Sequence, residues 1–238
     1  MRRVLSIAGL FVLGVAGQYV LWVKSPLDVP LGAESAIAVM GGLRSLASEI
    51  VWFRAGRMQR EGHYVELQQL ASTLTRLEPH ESEVWSYAAW NLAYNISVMM
   101  PTYEDRWRWV HAAMKLLRDE GLRLNPKAAA LYRELAWLFE LKMGTKIDPA
   151  SPIYREKWRQ IVRDAERRDA WKELGMDRDT MREVEAKYGI DEWTHPMASA
   201  IYWADRGLAC AGREDAAFLR EIIRQSKFIY RQTVNMIK

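Results

Sequence analysis

Apolar positions follow two different rhythms along the chain. Val4 to Val23, VLSIAGLFVLGVAGQYVLWV, is twenty residues without a charge, and at 1.5 Å per residue it is long enough to cross roughly 30 Å of hydrocarbon. After a short break the apolar residues return at the three-to-four spacing of helices with one buried face. In Ser48 to Pro79, Trp52 and Ala55 open a first helix, Gly62 and Tyr64 make a turn, and Leu67, Ala71 and Leu74 form a second stripe that Pro79 ends. The opening theme returns in His80 to Met100 with Trp85, Ala88, Ala89 and Leu92, and again in Ala129 to Met143 with Tyr132, Leu135, Ala136 and Phe139. Small residues such as Ala55 stand where two helices approach closely. The pattern predicts an all-α fold of successive helical hairpins.

Three regions follow. Residues 1–24 hold the uncharged run, 25–33 a linker with two prolines and two turn formers in SPLDVPLG, and 34–238 the helical domain. A helix break is expected at Gly41-Gly42. From Pro79 to Pro126 is 47 positions, and the excess is expected in an inserted turn near 97–105, with Pro101 barring a continuous helix and Thr102 as a cap. The partner of the third opening helix is displaced by Gly144 to Pro152, with Ile153 to Leu174 the candidate. Residues 150–238 are a degenerate continuation, in which Thr194-His195-Pro196 opens a last pair and Phe218, Ile222, Ile223 and Ile229 form its final stripe.

The Ser48–Met143 stretch resembles the tetratricopeptide-repeat family, in a membrane-anchored form with few degenerate repeats; its repeat is about 34 residues long. The resemblance implies a TPR-like α-solenoid with a concave groove lined by the first helix of each repeat. Carried onto the matching positions, the groove side presents Glu49, Trp52 and Gln59 from the first repeat, Glu83, Ser86 and Trp90 from the second, and Arg133, Trp137 and Glu140 from the third. Departures from the pattern are Trp52 one position late, Leu67 where alanine is usual, and the excess in the second repeat. The resemblance implies a protein or peptide partner; no cofactor and no catalysis are expected, because the motifs that would carry them are missing. Against docking stands packing: the chain has eleven tryptophans, about one per helix, and such residues also fill space between repeats.

The uncharged run reads as a membrane anchor, because its apolar course continues past the small residues Gly14 to Gly17 through Tyr19 to Trp22. A cleaved signal peptide, which would make the chain secreted, is the alternative. Arg2 and Arg3 precede the run and only Lys24 directly follows it, so the N-terminus is expected in the cytoplasm and the repeats on the outer side. Taking those three from the 34 basic residues leaves 31 against 30 acidic ones, a balance that speaks against a nucleic-acid surface. Cys210 stands alone and permits no internal disulfide. His63, His80, His111 and His195 share no ligand spacing, and phosphate-cradling glycine loops and Gly-x-Ser-x-Gly are absent. Interleaved charge in Tyr154–Lys187 reads as a solvated helix face. Asn91 and Asn95 are expected to tie down the inserted turn, and Glu134 to pair with Arg118, Arg123 or Arg133. The expected function is a membrane-anchored interaction module without catalysis, or else a structural subunit of a larger membrane or envelope assembly.

Overall fold

A computed structural model describes the backbone of residues 33–235 and the side chains of 47–234. The expected anchor at 4–23 and most of the expected 25–33 linker lie outside the described residues. Among the described residues the chain is all-helical, with no strand, and no helix is long and apolar enough to cross a membrane. Two compact units divide the chain, 1–46 and 47–238, and the candidate site lies wholly within the second.

The helices are α1 (Ala33–Glu61), α2 (Tyr64–Leu77), α3 (82–99), α4 (103–124), α5 (129–144), α6 (Ser151–Arg168), α7 (Arg178–Tyr188), α8 (Pro196–Leu208) and α9 (Arg213–Asn235), with a short 3₁₀ turn at Trp171–Leu174. Helix α1 runs through Gly41-Gly42 without the expected break, since glycine costs a helix only about 1 kcal/mol per residue. It ends at Gly62, whose φ of 78° suits a residue without a Cβ. In α2 the stripe Leu67, Ala71 and Leu74 is fully buried.

The excess within the 47 positions from Pro79 to Pro126 is not housed as expected. The connection between α3 and α4 is only Met100 to Thr102, with the Thr102 hydroxyl capping α4 by accepting from the Asp105 amide. The extra length lies in the two helices themselves, each carrying a π-helical stretch, Asn91–Ile96 and Leu116–Gly121. Their signature is the i→i−5 bond, from Ser97 N to Leu92 O and from Leu122 N to Leu117 O. Helix α5 ends in a third such stretch, Glu140–Gly144. The buried face of α3 continues through Ile96 and Ser97, so Pro101 stops the helix without lengthening the loop.

Two unit boundaries are stitched alike. Trp85 Nε1 donates to Pro79 O at 2.9 Å, and 47 residues later Tyr132 Oη donates to Pro126 O at 3.0 Å. Asn125 Nδ2 reaches back to Pro79 O at 2.8 Å and joins the two turns. Asn91 and Asn95 serve neither turn. Asn91 Nδ2 donates to Tyr64 O, linking α3 to the start of α2, and Asn91 Oδ1 accepts from Asn95 Nδ2; the inserted loop is too short to need them.

Helices α2, α3, α4 and α5 pack in succession. The partner of α5 is then α8 and not 153–174. A Cβ at Gly207 would meet Tyr132 Cβ at 2.8 Å and one at Gly144 would meet Met197 Sδ at 2.7 Å, so α5 and α8 run antiparallel in close contact. Small residues make that approach possible. Gly207 also touches Leu219, and Gly144 touches Ile229, which places α9 antiparallel to α8. Residues 145–195 form a helical excursion between α5 and α8. It is fastened by the Tyr202 hydroxyl, which accepts from Asp177 N, and by the Tyr230 hydroxyl, which accepts from Asp191 N and Glu192 N. Helix α6 packs instead on α4 and on the end of α5. Its strongly charged sequence has too few apolar positions to cover α5.

Candidate aromatic and acidic groove

Helices α1, α3, α5 and α9 contribute to a cavity of about 490 Å³ lined by Trp52, Ser82, Glu83, Ser86, Tyr87, Ala130, Arg133, Glu214 and Asp215. Four of the expected groove residues, Trp52, Glu83, Ser86 and Arg133, therefore meet there. Trp52 is half-buried and sits edge-on to Tyr87, with ring centroids 5.0 Å apart. Gln59 lies behind that pair and accepts from Tyr87 Oη at 3.1 Å. Glu49 is exposed on α1 and does not line the cavity.

Beyond the cavity an aromatic ladder crosses three helices. Trp90 packs on Tyr94 at 6.1 Å, Tyr94 on Trp137 at 6.2 Å, and Trp137 edge-on to Phe218 at 6.0 Å. Phe218 is 44% exposed, so the ladder opens to solvent at its α9 end. Arg133 lies over the Phe218 ring and is clamped by Asp215 at 2.5 Å and Glu134 at 3.1 Å. The hydroxyls of Ser86 and Tyr94 are buried with no hydrogen-bond partner. Leaving a buried hydroxyl unsatisfied costs about 1–3 kcal/mol.

Glu140, expected on the groove surface, is buried. Burial and the nearby Glu221 carboxylate push its pKa up to about 7. Like Arg133, which meets Asp215, and Trp137, which meets Phe218, Glu140 faces α9, where Glu221 lies one turn beyond Phe218. Beneath the ladder, Lys142 lies 4.7 Å from the Tyr94 ring centroid and pairs with Asp148 at 2.9 Å. Both are buried. Burial lowers the Lys142 pKa against the opposing pull of Asp148. Burial also opposes ionisation of Asp148, but Lys142, the Ala150 amide and the Tyr154 hydroxyl together hold its carboxyl below the usual value.

A second cavity, of about 410 Å³, lies where α4 faces α6, over the stacked Trp107–His111 pair. Its arginines are engaged: Arg118 holds Asp119 through two bonds, and Arg168 spans Asp164 and Glu173. In the Arg106–Trp109 run, Trp107 is buried while Arg108 reaches Asp105, as helical geometry requires of neighbours about 100 degrees apart. Glu134 pairs with Arg133, one of its three expected partners. Cys210 is half-buried, and burial raises its thiol pKa. Among the described residues no group of three His, Cys, Asp or Glu side chains converges as metal ligands would.

Sequence reasoning missed Tyr87, Tyr94, Phe218, Glu214 and Asp215. The signal for the last three was an exposed phenylalanine set four residues after an acidic pair at a helix start. No family model, curated protein or solved structure matches the chain.

Proposed function

We propose that the chain is a membrane-anchored, non-catalytic docking module whose TPR-like stack of hairpins binds a protein or peptide segment in the groove between α1, α3, α5 and α9. The observation that carries this reading is a cavity lined by half-buried Trp52 and Tyr87, beyond which the ladder of Trp90, Tyr94, Trp137 and Phe218 opens to solvent. Aromatic side chains in partly desolvated pockets dominate the energetics of protein interfaces. In this reading residues 4–23 anchor the chain with its N-terminus cytoplasmic and the helical domain outside. Tethering raises the local concentration of membrane partners, so a modest groove affinity suffices.

Crosslinking and recovery from solubilised membranes tests it, comparing wild type with Trp90→Ala plus Trp137→Ala after circular dichroism shows equal helix content. A discrete partner recovered by wild type and lost by the variant supports the docking role. Identical recovery by both overturns it.

A further inference from the structure

The reading of the groove as a docking site leaves its partner's chemistry open, and the charges around the cavity decide it. Arg133 is the cation of the lining, and Asp215 and Glu134 already hold it. Glu83 and Glu214 line the same cavity, both exposed, and neither has a cation within ion-pair distance among the described residues. The lining therefore has more carboxylate than it neutralises, beside the half-buried rings of Trp52 and Tyr87. Carboxylates at the rim with aromatic rings at the floor suit a guanidinium or ammonium group, which gains from both the opposite charge and the ring quadrupole. An acidic segment would meet Glu83 and Glu214 and find Arg133 already satisfied.

Resting on the docking reading, we infer that the groove takes a basic extended segment of a partner protein, an arginine or lysine of which lies between Glu83 and Glu214 against Trp52 and Tyr87. Charge complementarity of this kind sets partner choice and salt dependence more than raw affinity.

Fluorescence anisotropy on the full-length chain in non-ionic detergent tests the inference, with two short labelled peptides alike except that one carries arginine and the other glutamate at alternate positions. The arginine peptide is expected to bind roughly tenfold more tightly than the glutamate peptide, and less tightly as salt rises. Glu83→Gln plus Glu214→Gln keeps both side-chain shapes on exposed sites and is expected to weaken the arginine peptide roughly five- to tenfold. Equal or tighter binding of the glutamate peptide, or unchanged binding by the double variant, overturns the inference. If neither peptide binds while Trp90→Ala plus Trp137→Ala still abolishes partner recovery, the basic-segment inference is wrong and the docking reading stands. If partner recovery is indifferent as well, both fall.

Discussion

Along the groove, Glu83 and Glu214 face the cavity without a cation, the Ser86 and Tyr94 hydroxyls lack partners, and Phe218 stays open to solvent. In the 145–195 excursion the same residue types are paired off. Asp164 and Glu173 hold Arg168, Asp169 holds Arg178, Asp179 holds Arg182, and Glu185 takes the indole of Trp193. The excursion carries more charge of both signs, and much of it is paired within the excursion itself. Surface pairs of that kind contribute little to stability, and they also quench the field that would attract a ligand. In the docking reading the groove is marked by unpaired carboxylates beside exposed aromatic rings, and density of charged residues is a poor guide to it.

The contrast can be sharpened by breaking paired charges at different depths. The largest effect is expected at the buried junction beneath the ladder. Lys142→Ala leaves Asp148 ionised with its cation gone and should cost about 3–5 kcal/mol in denaturant unfolding. Arg168→Ala, on the exposed excursion, should leave the same midpoint within experimental scatter.

Next in size are two opposed pH dependences. Glu140 has a folded pKa of about 7 against an ordinary 4.5, so the unfolded chain ionises first and stability falls as pH rises from 4.5 to 7. His195 is lowered to about 4 from 6.5 by burial and by Arg155, so stability falls as pH drops from 6.5 to 4. Each shift corresponds to at most about 3 kcal/mol. The slopes oppose each other between pH 4.5 and 6.5. Glu140→Gln should stabilise the chain above pH 7 and leave the acid-side loss. His195→Asn, which keeps a capping side chain for the Met197 amide, should leave the loss toward neutral pH. Thermal unfolding against pH reads both, and an unchanged profile in either variant would contradict the burial described.

Smaller still is Gly207→Ala. Its Cβ would press on Tyr132 and Leu219 and should cost about 1–3 kcal/mol. Smallest is Thr102→Ala, which removes the α4 cap and should cost about 1 kcal/mol. A loss much above that would mean that the short Met100–Thr102 connection anchors more than the α4 terminus.

The helical class and the buried stripes at Leu67–Leu74, Trp85–Leu92 and Tyr132–Phe139 were legible in the sequence, because a 3.6-residue period reports a buried face directly. Two features were not. A π-helical stretch leaves no mark in apolar spacing short enough to separate from α-helix, so the extra length in 82–124 reads as a loop, while Glu140 reads as groove surface because the sequence does not show that α9 covers it. The pairing of α5 with α8 spans the whole excursion, and periodicity identifies a buried face without saying what covers it. Gly207 and Gly144 carried the clue, since an exposed helix has no use for a side chain that small. The cavity lining was legible in part on α1, α3 and α5, through Trp52, Glu83, Ser86 and Arg133. It was illegible on α9, whose Glu214, Asp215 and Phe218 sit in a stretch where the repeat pattern has faded.

Site-directed photocrosslinking in membranes from cells expressing the full-length chain tests the central claim most directly, with a benzophenone amino acid placed at Ser86 in the groove or at Glu166 on the exposed face of α6. A discrete crosslinked protein from Ser86 and none from Glu166 is the predicted result. Crosslinks from Glu166 alone, or the same species from both positions, would contradict the groove as the place where a partner docks.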